Sequence, residues 1–151
     1  MGQDPEITVF RTNRPGIRKV LGDLEAEIME VIWARPDDHG TTVRDVFEVL
    51  YARRSLSYTT VMTTMARLAR KRLLSAEIPP DAPRNAYVYT PTSSKEDFVS
   101  RFVGRVLEDL LVSFSGATWQ GLATLSDPVA AERARRLLEE VARRRVAEEA
   151  E

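Results

Sequence analysis

No cysteine occurs among the 151 residues. Disulfides, thiolate metal sites and a cysteine nucleophile are therefore excluded within this chain. Histidine is almost as scarce, with His39 the only one, set in "RPDDHGT" between Pro36 and Gly40, where a polar loop is expected. One imidazole beside the carboxylates of Asp37 and Asp38 is a thin ligand set, so no metal and no cofactor is expected. Long apolar runs are missing too: none approaches the roughly 20 residues that cross a bilayer. The opening "MGQDPEITVF" also lacks the basic-then-apolar layout of a signal peptide. A cytoplasmic protein with no membrane partner is the expectation. A phosphate-binding glycine loop is absent, as is a nucleophile with a partner histidine, which argues against an enzyme.

What is present is a globular composition, 43% apolar and 30% charged, enough for one good core or a small core with a helical appendage. The net charge of −1 advertises no general affinity for nucleic acid, but its distribution is uneven. Between Arg53 and Arg84 seven cations (Arg53, Arg54, Arg67, Arg70, Lys71, Arg72, Arg84) face two anions (Glu77, Asp81), a local excess of +5. From Ser93 onward nine cations meet eleven anions, for −2. An anionic partner would be steered to the first of these regions.

Residues 1–19 carry Pro5, Pro15, Gly16 and scattered charge without apolar periodicity. They read as an irregular arm, with cations at Arg11, Arg14, Arg18 and Lys19 on a solvated tail. Residues 20–92 hold three helical patterns and a hairpin. Leu21, Leu24, Ile28, Val31 and Ile32, widened by Met29 and Trp33, make the first helix, which must end before Pro36. Thr42 and Asp45 resemble a capping box opening a second helix over about 43–53. In "SYTTVMTTMARLARK", residues 57–71, Val61, Met65, Leu68 and Ala69 face inward, while Thr60, Thr63, Thr64, Arg67 and Lys71 are expected on one exposed face. "LLSAEI" and "AYVYT" are strand-like runs separated by "PPDAPRN", whose three prolines forbid helix and form a stiff tip bearing Arg84. Three helices and such a hairpin describe a winged helix-turn-helix.

Residues 93–151 return to helical periodicity, so the expected fold class is mainly α with a small β-hairpin wing, followed by a C-terminal helical domain for which dimerisation is the expectation. Ser94 caps a helix carrying Phe98, Val99, Phe102, Val103, Val106, Leu107, Leu110, Leu111 and Phe114, an apolar sector too wide for one small domain to cover. "SGATWQGLATLS" reads as a connection with room for a short helix. Asp127 and Pro128 then open a last helix with Ala134, Leu137, Leu138 and Val141 on one face. On its other faces Glu132 with Arg136, Glu139 with Arg143 and Glu140 with Arg144 stand at the spacing of solvated ion pairs. The expected dimer contacts are Phe98, Phe102, Val106, Leu110, Phe114, Leu137, Leu138 and Val141.

Threonine is a mediocre helix former, so its abundance in residues 57–71 asks for another reason. A threonine offers a hydroxyl and a methyl on a short stem, which suits close approach to base edges in the major groove. Thr60, Thr63 and Thr64 are expected at bases and Arg67 at a guanine or a phosphate. Arg70, Lys71 and Arg84 suit phosphates. Ser57, Tyr58 and Thr59 sit at the helix start, where the dipole favours the DNA backbone. The bland alternative makes Ser57 or Thr59 an N-cap and the later threonines solvated filler.

The segments "LGDLEAEIMEVIWAR", "TTVRDVFEVL", "YTTVMTTMARLARKRLL" and "AYVYTPTSSKEDF" together resemble the penicillinase repressor family, the BlaI, MecI and CopY type of bacterial regulators, over about residues 20–100. The resemblance implies a winged helix joined to a helical dimerisation domain, and homodimers that repress genes by binding inverted-repeat operators in double-stranded DNA. It also implies that Ser57, Thr60, Met62 and Thr63, flanked by Arg67 and Lys71, contact bases or backbone. A protease that inactivates the protein by cleavage in the dimerisation domain is an implied partner. Two departures stand out: Arg72 occupies a position where the family often has glycine, and the cysteine cluster of copper-responsive members is absent. The competing functional class is a protein-interaction adapter, since winged helices also serve as partner-binding modules. An adapter has little need of a +5 band around its second helix and wing.

Overall fold

The computed structural model describes residues 5–35, 40–84, 86–123 and 127–149, the last stretch with the side chains of 127–136, 139, 140 and 143. Asp37, Asp38 and His39, weighed above as metal ligands, and the side chains of Leu137, Leu138, Val141 and Arg144 lie outside the described residues. Contacts divide the chain into two units, Met1–Val99 and Ser100–Glu151.

In the first unit a short 3-10 helix, Gly16–Lys19, precedes α1 (Asp23–Trp33), α2 (Val43–Tyr51) and α3 (Tyr58–Arg70), followed by strands β1 (Leu74–Glu77) and β2 (Val88–Pro91). This is a winged helix. Each of the three α-helices begins where a side chain can satisfy a free backbone donor. At α1 the Gly22 N–H donates to Glu25 Oε2 at 2.9 Å. At α2 the expected capping box is present: Asp45 N–H donates to Thr42 Oγ1 at 3.2 Å, and Thr42 N–H to Asp45 Oδ2 at 2.9 Å. The Thr42 N–H holds the Asp45 carboxyl below its ordinary value, outweighing its partial burial. At α3 the cap is Ser57, whose Oγ accepts from Thr60 N–H at 3.1 Å, so the cap is not Thr59.

The three helices meet on a core of Leu21, Ile28, Met29, Val46, Leu50, Val61, Met65, Leu68 and Leu74, all fully buried. Each such side chain contributes about 1.5–3 kcal/mol of burial. The strands pair antiparallel, with Leu74 opposite Pro91 and Glu77 opposite Val88. Thr41 adds a third-strand contact by exchanging two 2.8 Å hydrogen bonds with Tyr89. Beside it Gly40 has φ +78°, and a Cβ there would stand 2.2 Å from Val88 Cγ1, so only glycine fits. The turn from α3 into β1 is made by Arg72 at φ 63°, the single described non-glycine residue in the left-handed region.

Two sequence expectations change in this unit. The arm is solvent-exposed over most of its length, as expected, but it is anchored: Pro5 is buried, Glu6 N–H donates to the Lys71 carbonyl at 2.9 Å, and Arg11 N–H donates to the Lys19 carbonyl at 2.6 Å. Arg14 pairs with Asp23, and Arg18 reaches Asp23 at 3.7 Å and Glu27 at 3.9 Å. Phe98, expected on a dimerising face, instead belongs to this unit, 3% exposed with its ring 5.5 Å from that of Trp33. Trp33 Nε1–H donates to the Ser93 carbonyl at 3.0 Å, and Lys95 Nζ meets Glu30 Oε1 at 2.6 Å. The first turn of the next helix is therefore tied to α1, and the division falls after Val99 rather than after Thr92.

That helix is α4 (Lys95–Ala123), capped as expected by Ser94, whose Oγ accepts from Asp97 N–H at 3.1 Å. It is broken at Phe114 (φ −140°, ψ 51°). The stretch read as a connection is helical through Ala123. Its glycines each cost about 1 kcal/mol of helix propensity. Against that, the Thr118 hydroxyl donates to the Phe114 carbonyl at 2.8 Å and lies 3.1 Å from that of Leu110, tying the two sides of the break. α5 (Pro128–Glu149) opens with Pro128 in its first position and Asp127 Oδ1 accepting from Val129 N–H at 3.0 Å. Glu132 binds both Arg135 and Arg136, while Arg143 donates to the Glu139 backbone carbonyl, not its carboxylate. Among the described residues no helix is long and apolar enough to cross a membrane.

Candidate nucleic-acid interface

α3 is a two-faced helix. Val61, Met65 and Leu68 are fully buried, and the opposite side exposes Thr59, Thr60, Met62, Thr63, Ala66, Arg67 and Arg70. Its N-terminus is exposed at Ser57 and Tyr58; the Tyr58 ring packs edge-on to Phe47 at 5.5 Å, anchoring the start of the helix to α2. Arg84 is exposed at the hairpin tip, where turns close from Ala82 N–H to the Pro79 carbonyl and from Ala86 N–H to the Pro83 carbonyl, both at 3.1 Å.

Two residues expected on the exposed face stand elsewhere. Thr64 is 6% exposed and donates its hydroxyl to the Thr60 carbonyl at 2.7 Å, so it is a core residue with its polar atom satisfied. Its place follows from spacing, since Val61, Thr64, Met65 and Leu68 form one helical stripe. Lys71 turns inward: its Nζ lies 2.7 Å from Oε1 of the buried Glu25. Arg54, counted in the basic band, is 3.4 Å from Glu27. The cations left outward on α3 are Arg67 and Arg70, with Arg84 on the hairpin.

The threonines tolerate the helix because it gives their hydroxyls a partner. Thr63 Oγ1–H donates to the Thr59 carbonyl at 2.8 Å, and the Ser57 and Thr60 hydroxyls lie 2.7 Å apart. Back-bonding of this kind occupies the hydroxyl proton and leaves the oxygen's lone pairs and the methyl outward. The exposed stripe therefore offers acceptors, methyls and the Met62 thioether toward its N-terminal half and guanidinium donors toward its C-terminal end. This distribution suits the mixed donors, acceptors and thymine methyls of a major groove.

Sequence reasoning missed Glu25. Burial alone would push its carboxyl up, but the Lys71 ammonium, the Gly22 N–H and the nearby Arg67 together hold it below the ordinary glutamate value. The one available signal was its place three residues after the helix-opening Gly22, the capping-box spacing. Among the described residues no group of histidine and acidic side chains forms a metal site.

The model of the penicillinase repressor family matches residues 21–143. The chain belongs to the penicillinase repressor family. It is also similar to the transcriptional regulator BlaI of Mycobacterium tuberculosis, from strains CDC 1551 / Oshkosh and ATCC 25618 / H37Rv, at 44% identity over 80 residues in each. Those residues are 53% of this chain and 54% of the relative, so the match spans about half the length of the curated relatives. In this penicillinase repressor family member the arm up to Val20 precedes the matched region, and the exposed stripe of α3 lies wholly inside it.

Proposed function

We propose that this member of the penicillinase repressor family is a homodimeric transcriptional repressor of the cytoplasm, with two α3 helices reading the half-sites of an inverted-repeat operator in double-stranded DNA. The observation that carries the reading is the division of α3: one face is locked into the core while the other presents threonines, Met62, Arg67 and Arg70 to solvent. Thr60, Met62 and Thr63 meet base edges, Arg67 a guanine or a phosphate, and Arg70 and Arg84 phosphates. Ser57, Tyr58 and Thr59 place the helix N-terminus against the backbone. Thr64 supports this surface from within, and Lys71 supports it through its pairing with Glu25.

Dimerisation rests on α4 and α5. Val103, Leu107, Leu110 and Phe114 are 45%, 39%, 39% and 63% exposed in the single chain, a run of apolar surface that a second copy would cover, with Phe102 and Val106 half-buried along the same helix. Release follows from altering that pairing, by a protease cut or by a ligand that favours the wrong half-site spacing. The test is selection of bound duplexes from a random library by the full-length protein, followed by footprinting. An enriched inverted repeat protected over both halves is the expected result. Enrichment of no sequence, with binding to a protein partner instead, would return the fold to the adapter class.

A further inference from the structure

Lys71 is held from three directions at the end of α3. Its N–H donates to the Arg67 carbonyl at 2.9 Å, closing the helix; its carbonyl accepts from Glu6 N–H at 2.9 Å; its ammonium is 2.7 Å from Glu25 Oε1. The carbonyls at a helix C-terminus have no partner within the helix, and here one of them is satisfied by a segment far away in sequence. Glu25 itself is fixed by the Gly22 N–H at the start of α1.

The arm that supplies the Glu6 N–H is anchored at Pro5 and Glu6 and again at Arg14 and Arg18, and is folded on itself between them. Pro5 is buried, the Arg11 N–H is bonded to the Lys19 carbonyl, and Lys19 Nζ lies 3.2 Å from the Thr12 carbonyl. Arg14 and Arg18 are paired with α1 carboxylates. Three of its four cations thus have intramolecular partners at the surface, two of them on α1, which is the pattern of a clasp more than of an arm offered to DNA.

We infer that residues 5–20 form a strap which, together with Glu25, positions Lys71 and thereby sets the orientation of the last turn of α3, the turn that carries Arg67 and Arg70. Glu25, Lys71 and the backbone of Glu6 are positioning residues; they act through the α3 face and touch no DNA. The inference rests on the DNA-reading proposal above. Its consequence is selectivity: a loosened helix end keeps its charge and its general attraction for phosphates, but loses the fixed geometry that base reading requires.

The experiment uses the full-length protein, a duplex selected by the wild type from a random library, and a duplex of random sequence, at one salt concentration. Glu6→Pro deletes the N–H, and Glu6→Ala keeps it. Glu6→Pro is expected to lower the ratio of selected to random affinity by up to roughly fivefold, the factor for one net hydrogen bond, with Glu6→Ala keeping the wild-type ratio. Amide exchange should accelerate over Leu68–Leu73 and stay unchanged in α1. Lys71→Met, with Lys71→Arg as its rescue, tests the other tether should Glu6→Pro fail to fold. An unchanged ratio in both Glu6→Pro and Lys71→Met, or an equal loss on both duplexes, would overturn the positioning role. If the wild type enriches no sequence, the DNA reading falls first and the positioning role with it.

Discussion

Arg72 is the residue whose backbone and side chain disagree. A left-handed φ of 63° costs a non-glycine residue about 1–2 kcal/mol, and glycine removes that strain while adding unfolded-state entropy of about 0.4–1 kcal/mol. Arg72→Gly should therefore stabilise the first unit by about 0.5–1 kcal/mol, seen as a higher urea midpoint at unchanged slope; a lower midpoint would show that the arginine side chain makes a compensating contact. Glu25 gives a second expectation. Its folded pKa lies below its unfolded one, so its contribution to stability is fully present above about pH 4.3, the unperturbed glutamate value, and is lost as pH falls through the folded pKa. The stability gap between wild type and Glu25→Gln should close on acidification across that window. Parallel curves from neutral to acid pH would mean that the Lys71 pairing does not favour the charged carboxylate. Single residues were unevenly legible in the sequence. Ser57 was one of two candidate caps, and hydroxyl chemistry alone cannot choose between adjacent residues. Thr64 was misplaced because its polarity outweighed its spacing, although a threonine that bonds the carbonyl four residues back is a tolerable core residue.

Helices of the first unit were legible because their apolar stripes, caps and breakers agree with one another, as with Thr42 and Asp45 at α2 and the prolines between the strands. α4 was less so. Residues 115–126 read as a connection with room for a short helix, but local propensity is a weak prior that a continuing helix overrides, and the break falls instead at Phe114. The buried end of α4 was hidden for another reason: nothing in the periodicity of 94–114 says that Phe98 is spent on Trp33 while Leu110 remains open. That asymmetry yields an expectation at the level of the element. Leu110→Arg places a charge in the middle of the proposed interface without touching the core of the first unit, and burying an unpaired cation costs several kcal/mol. The variant should be monomeric at micromolar concentration by light scattering, with the thermal transition of the winged helix unmoved. A Leu110→Arg protein that is still dimeric would relocate the interface away from this face of α4.

At the scale of the whole chain, the division after Val99 and the proposed dimer together determine what a fragment should do. One ending at Thr92 lacks Phe98, whose loss from a core costs about 3–5 kcal/mol, and lacks the Ser93 carbonyl that holds Trp33. A fragment of residues 1–99 keeps both and should fold with a transition like that of the first unit in the intact protein. It should also enrich the same half-site, because α3, the hairpin and the strap are all retained. What it loses is the effective concentration that a dimer gives its second reading head, a factor on the order of 10²–10⁴ in affinity for the full inverted repeat. Salt separates this loss from simple damage. Each phosphate neutralised contributes roughly −0.9 to the slope of log affinity against log salt, so one reading head should show about half the slope of two. Fluorescence anisotropy on a labelled inverted repeat and on its single half-site would measure both quantities. A fragment with the affinity and slope of the intact protein would show that the C-terminal helices do not couple the two half-sites.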